Sequence, residues 1–292
     1  MPDERNMSTH KKPDPRLNPW RDDLAAAYLR GEVDAPKYVE GRDMMVISPV
    51  AALRRSPADG AKMDTQLLHG EIFRVYEKKK GWAWGQSQRD DYVGYAKLVD
   101  LAGPVRTDMV VTAMRSFVYE SDDIKSRPVM ALSMGAQVKM VSKQGRFVHI
   151  DGDGWMIADH LGYNTEHDVD FVSIAEKFLH VPYLWGGKES LGLDCSALVQ
   201  IALQRCGISC PRDSDMQERV LGETVEPDAP LQRGDLVFWK GHVGIMQDAT
   251  RLLHANATHM KVVSEPFQEA RSRIAETEGD ITSIKRLNGL SA

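Results

Sequence analysis

Between residues 38 and 101 the apolar positions fall in short alternating runs. They read Met44-Met45-Val46-Ile47, Glu71-Ile72-Phe73-Arg74-Val75-Tyr76, Trp82-Ala83-Trp84-Gly85-Gln86 and Tyr92-Val93-Gly94-Tyr95, with charged or Gly-bearing turns between them. A period of two bounded by turns predicts the strands of a small β-barrel. The pattern recurs over 107–161. Leu68-His69-Gly70-Glu71-Ile72-Phe73-Arg74-Val75 matches Ser133-Met134-Gly135-Ala136-Gln137-Val138-Lys139-Met140 at an offset of 65 residues. A turn, an alternating strand and a Gly-aromatic strand follow in both (Val93-Gly94-Tyr95; Gly154-Trp155-Met156). Two copies of one β module are expected, and two copies are too few for a solenoid, so they form tandem domains.

Upstream, the first dozen residues are polar and carry lysine and proline, which predicts a disordered tail. The alanine-rich run 23–30 predicts a helix ended by Gly31. After Leu161 the period changes. Phe171, Ile174, Ala175, Phe178 and Leu179 share one face of a helix over 168–180. A Pro182-Tyr183-Leu184-Trp185-Gly186-Gly187 loop leads into a second helix with the face Leu198, Val199, Ala202, Leu203 and Cys206, stopping at Gly207. From Gly234 the chain alternates as strands at 235–239, 243–246, 251–255 and 281–284. Helices followed by strands predict an α+β domain. The expected organisation is a tail and short helix (1–37), two all-β barrels (38–103 and 104–165) and an α+β domain (166–292).

A chain of 292 residues with 42% hydrophobic and 27% charged residues accommodates such a division with ordinary cores. The net charge of -5 has no basic block, so neither nucleic acid nor a membrane surface is an expected partner. The N-terminus lacks the apolar core of a leader peptide, and no stretch approaches the roughly 20 apolar residues of a membrane span, which points to the cytoplasm. Three cysteines are too few for a disulfide framework. Cys206 and Cys210 form a C-x3-C without a second ligand pair at finger-like spacing, so no metal site is expected.

Cys195 is different. It follows a Gly-rich loop and opens the second helix, where the helix's positive end and a nearby imidazolium favour thiolate. Asp194 and Ser196 are suitable helix-start residues. A nucleophilic cysteine needs a base, and the base needs an orienting group. His242, in Gly241-His242-Val243-Gly244, stands at a strand start, and His254 stands twelve residues on in the next run. If those runs pair as a hairpin, the two imidazoles lie side by side.

These residues resemble a known family. Pro182-Tyr183-Leu184-Trp185-Gly186-Gly187, Asp194-Cys195-Ser196-Ala197-Leu198-Val199, Cys210-Pro211-Arg212-Asp213-Ser214 with Gln217, Arg233-Gly234-Asp235-Leu236-Val237-Phe238, His242-Val243-Gly244-Ile245 and His254-Ala255 are similar, in order, to the NlpC/P60 cysteine peptidases. The upstream modules resemble tandem bacterial SH3 domains. Ala197 departs from a usual glycine and Cys210 from a common leucine. The resemblance implies a papain-like α+β domain, with Cys195 as nucleophile, His242 as base and His254 as orienting residue. It also implies substrate contacts by Tyr183, Asp194 and Ser196, and by Tyr92 and Glu71 of the first SH3 domain, which walls the cleft and recognises a free amine. The implied reaction is hydrolysis of the γ-D-glutamyl to diamino-acid bond in small muropeptides, by a monomer without metal or organic cofactor. A papain-like amidase or acyltransferase, and a non-catalytic wall-binding protein, are the alternatives.

Overall fold

The computed structural model describes residues 12–152, 154–226 and 229–287. Within them the β pattern sorts the chain into two barrel-like units. The first is a seven-stranded sheet in the order Leu101–Ala102, Arg42–Val46, Ile72–Lys79, Trp82–Ser87, Val93–Lys97, Val50–Arg54 and Met63–Leu68. The second repeats that order with one break. Its counterpart of the long strand Ile72–Lys79 is split into Gln137–Val138 and Met140–Gln144, which divides the sheet into three- and five-stranded parts. The repeat extends to individual hydrogen bonds at the 65-residue offset. Gly70 N–H donates to Val46 O as Gly135 N–H does to Val111 O, both at 2.9 Å. Glu71 N–H donates to Leu68 O as Ala136 N–H does to Ser133 O, both at 3.1 Å.

The units meet through these matching turns. Gln137 N–H donates to His69 O at 2.8 Å, and Leu68 of the first unit is buried in the core of the second. Gly70 has φ +80°, and a Cβ there would stand 2.2 Å from the Gln137 carbonyl oxygen.

The expected helix over 23–30 is not formed. Leu24–Ala26 is a fully buried strand, followed by a single 3-10 turn, Ala27–Leu29. Eight residues are too few for a helix to stand on propensity. The extended form lets Ala25 and Ala26 donate to the Lys37 and Pro19 carbonyls and pack beneath Tyr76 and Trp84 of the first unit. Of the tail expected over the first dozen residues, 1–11 lie outside the described residues.

The third unit is a six-stranded antiparallel sheet in the order Glu223–Thr224, Ser283–Arg286, Leu236–Trp239, His242–Met246, Arg251–Asn256 and Lys261–Pro266. Alternation along its strands gives it two cores. Leu236, Phe238, Val243, Ile245 and Leu253 face helices α1 (Phe171–Glu176) and α2 (Cys195–Arg205). Val237, Trp239, Met246 and Leu252 face α4 (Phe267–Glu278), while α3 (Ser214–Val220) follows α2 in the chain. Helix α1 is shorter than its periodicity suggests: beyond Glu176 the bonds tighten to i→i−3 turns, Lys177 to Ile174, Phe178 to Ala175 and Leu179 to Glu176, before His180 takes φ +72°. Helix α2 ends at its expected glycine, with Gly207 at φ +75°. The strand Lys261–Pro266 and helix α4 are additions to the predicted elements. No helix among the described residues is long and apolar enough to cross a membrane.

Replacing Gly70 by Ala tests the joint between the β units. It forces a left-handed alanine against a backbone oxygen, and urea unfolding is expected to show a loss of at least about 2 kcal/mol.

Candidate active site

The start of α2 is built around one carboxylate. Asp194 caps the helix, its Oδ1 accepting from Ala197 N–H at 2.9 Å, while its Oδ2 accepts from Gly186 N–H at 2.9 Å. Arg212 closes on both oxygens, at 2.9 and 2.7 Å. The same guanidinium donates to Ser196 Oγ at 2.8 Å, to the Gly187 carbonyl at 3.3 Å and, from Nε, to Thr65 Oγ1 of the first β unit at 2.7 Å. All three guanidinium nitrogens of a side chain only 1% exposed are thereby engaged. The Gly-rich loop, the helix start and the first β unit are tied at one point.

Cys195 projects from this start and is buried. The backbone N–H groups of Val243 and Ser196 belong to the electrostatic surroundings of its sulfur, and Val243 directly follows His242. Those N–H groups and the charge of Arg212 favour thiolate, but burial outweighs them and pushes the thiol up to about 12. The low thiol pKa expected of a helix start is therefore not the condition of this site without substrate. Burial likewise moves His242 down to about 3, so neutral thiol and neutral imidazole are the favoured pair. The phenol of Tyr183 is raised by burial and by the nearness of Cys195 and Asp194.

The hairpin expected to align the histidines is present, with Ile245 opposite Leu253. Nε2 of His242 lies 2.8 Å from Nδ1 of His254, and the indole of Trp239 lies 5.7 Å from the His242 ring. The chain of contacts continues beyond the predicted residues. Nε2 of His254 is 2.7 Å from Oε1 of Glu265, which Arg273 of α4 grips at 2.6 and 2.8 Å. His254 is opposite Val263 and Glu265 opposite Leu252, so histidine and carboxylate are diagonal neighbours on one sheet face. Their signal was the β-branched pair Val262-Val263 leading to Glu265 after His254, which sequence reading passed over.

Among the residues expected to contact substrate, Tyr92 lies at the junction with the third unit. Its hydroxyl donates to Asp213 Oδ2 at 3.2 Å, and Asp64 belongs to its electrostatic surroundings. Asp213 also accepts from Arg16 at 2.8 Å; burial raises its carboxyl against the opposing charges of Arg212 and Arg16. Asp213 stood in the Pro-Arg-Asp motif but carried no predicted role. Asp194 and Ser196 are already engaged by Arg212, so a substrate group reaching them must share those bonds. Glu71 is corrected. Its side chain is 0% exposed, held at 3.1 Å by both Lys188 Nζ and Arg89 Nε. Lys188 also lies 3.6 Å from Asp90, which Gln200 of α2 binds at 3.0 Å. The turn carrying Glu71 is pressed against the third unit, and its carboxylate is neutralised inside that joint rather than offered to an amine.

Comparison with known proteins places these features in context. The model of the NlpC/P60 family matches residues 180–276, and that of the bacterial dipeptidyl-peptidase Sh3 domain matches residues 53–101. Dipeptidyl-peptidase 6 of Lysinibacillus sphaericus is 32% identical over 83% of this chain and 98% of its own. The gamma-D-glutamyl-L-lysine dipeptidyl-peptidase of Bacillus subtilis (strain 168) is 27% identical over 67% of this chain and 73% of its own. An NlpC/P60 family protein from Bacillus cereus ATCC 10987 shares the fold, with a TM-score of 0.71 over 86% of this chain and 100% of its own, at 18% identity.

Two outcomes check the geometry. Arg212→Met strands a buried carboxylate, and urea unfolding is expected to show a loss of about 3–5 kcal/mol. Alkylation of Cys195 by iodoacetamide is expected to accelerate continuously as pH rises through 9. A preformed thiolate-imidazolium pair would instead give a plateau starting at about pH 3.5–7.5.

Proposed function

Since the chain belongs to the NlpC/P60 family and is a peptidase of peptidoglycan-derived peptides, we propose that it cleaves the γ-D-glutamyl to diamino-acid bond of small peptides bearing a free N-terminal L-alanine. The relatives named for γ-D-glutamyl-L-lysine dipeptidyl-peptidase activity support the bond. The observation that carries the free amine is the pairing of Tyr92 with Asp213 where the first β unit meets the third. Asp213 already accepts from Arg16 and Tyr92 through Oδ2, so an arriving ammonium would meet a carboxylate held in place by those two donors. Asp213 takes the role first expected of Glu71. The second β unit, with its repeated hydrogen bonds, is read as a second SH3 barrel.

In this reading Cys195 is the nucleophile. As it attacks the amide carbonyl, its proton passes to His242, so the thiolate forms with the new C–S bond and not before it. Backbone N–H groups at the start of α2 receive the oxyanion. His242 returns the proton to the departing amine, leaving a thioester and a free diamino-acid peptide. Water deprotonated by His242 then opens the thioester, releasing L-alanyl-γ-D-glutamate and restoring the thiol. Every group named belongs to one chain, so a monomer suffices. A cleft that demands a free amine suits released fragments better than intact wall, and supports a role in recycling them in the cytoplasm.

Paired peptides test both bond and gate. L-Ala-γ-D-Glu-diaminopimelate is expected to be hydrolysed, with acetylation of its alanine lowering kcat/KM by about 100-fold or more. Cys195→Ala is expected to abolish turnover, and Tyr92→Phe to raise KM with little change in kcat. Equal cleavage of free and acetylated peptides would remove the proposed gate. Hydrolysis by Cys195→Ala at the parent rate would remove the nucleophile.

A further inference from the structure

The hydrogen-bond chain from His242 does not stop at His254, and where it ends decides its direction. We propose that Glu265 is a positioning residue for the hydrolysis, fixing through His254 the tautomer that leaves Nδ1 of His242 free to accept the proton of Cys195. The inference rests on the roles of Cys195, His242 and His254 given above.

The argument is one of donors and acceptors. Arg273 and His254 together outweigh burial and hold the Glu265 carboxyl down at about 2, so it is ionised and can only accept. Nε2 of His254, 2.7 Å away, must then carry a hydrogen. His254 is neutral, because burial lowers its pKa, and a neutral imidazole has a single N–H. Its Nδ1 is therefore a bare lone pair. Across the 2.8 Å contact, Nε2 of His242 must be the donor. The lone pair of neutral His242 is left on Nδ1.

A neighbour pulls the other way. Asn256 Oδ1 accepts from His259 N–H at 2.8 Å, which turns Nδ2 toward Nε2 of His254 at 2.9 Å. An amide NH2 offers only hydrogens. Were Glu265 absent, Asn256 would donate to Nε2 of His254 and place the hydrogen on Nδ1. His242 would then accept at Nε2 and carry its own hydrogen on Nδ1, where no proton can be received. Glu265 prevails because it is charged and clamped by Arg273.

Nitrogen-15 spectra of histidine-labelled full-length protein read the tautomer directly, with His254→Gln assigning the signal. The parent is expected to show His254 as the Nε2–H form, and Glu265→Ala as the Nδ1–H form. In steady-state hydrolysis of L-Ala-γ-D-Glu-diaminopimelate, Glu265→Ala is expected to lose about 100-fold in kcat, with KM within about twofold, the signature of a misdirected base. Glu265→Gln, whose amide oxygen still accepts, is expected to retain more activity than the alanine variant. His254 found as Nδ1–H in the parent overturns the proposal even if no variant folds. So does a Glu265→Ala enzyme within about twofold of parental kcat. His242→Ala separates the two levels. If it remains active, the reading of His242 as base fails; if it is inactive while Glu265→Ala is not, only the role of Glu265 fails.

Discussion

The site depends on the buried guanidinium of Arg212. Its two nitrogen ends and its Nε reach the helix cap Asp194, the Ser196 hydroxyl, the Gly187 carbonyl and Thr65 of another structural unit. Removing a charged pair from water is expensive, and such a pair adds little net stability over a well-packed apolar one. What it supplies is geometry. Asp194 can accept from the Ala197 and Gly186 backbones while paired to arginine, so one ion pair fixes the loop before the nucleophile and the first turn of its helix together. The residues proposed to receive the amine follow, because Asp213 is bonded in sequence to Arg212 and in space to Tyr92.

Around that anchor, the groups proposed for catalysis are distributed by the simplest rule of β structure. Alternation sends Leu236 and Phe238 toward the nucleophile's helix and Val237 and Trp239 toward α4. The same rule lines His242, His254 and Glu265 along one face of three successive strands. That face is the one turned to α4, so what ties Cys195 to the histidine row is the strand start itself, where Val243, packed against the helix of Cys195, directly follows His242. Burial has a chemical consequence: it favours neutral thiol and neutral imidazole, and in the proposed mechanism charge separates only as the substrate carbonyl is attacked.

Much of this could be read in the chain because its signals are local. The 65-residue recurrence, the glycine that stops α2, and the Asp194-Cys195-Ser196 helix start all follow from periodicity, turns and capping. What escaped was long-range compensation. Glu71 has the sequence surroundings of an exposed strand residue, and only the approach of Lys188 and Arg89 makes its burial tolerable. The alanines of the 23–30 run favour a helix in isolation, and their use as a buried strand depends on Tyr76 and Trp84 being present to cover them. Glu265 and Arg273 were missed for a related reason. An acidic residue on a strand and a basic one on a helix look like ordinary surface until the strand is placed beside His254.

The separation in sequence of the groups that meet at Arg212 sets an order of events during synthesis. Thr65 precedes its arginine by 147 residues, and Arg16 precedes the Asp213 it binds by 197. The β units leave the ribosome first and can fold while the nucleophile is still untranslated. Cys195 then emerges ahead of Arg212, and His242, His254 and Glu265 come later still. No product that stops before the strands Arg251–Asn256 and Lys261–Pro266 can assemble the groups proposed for hydrolysis, so competence waits for the third unit however early the β units fold.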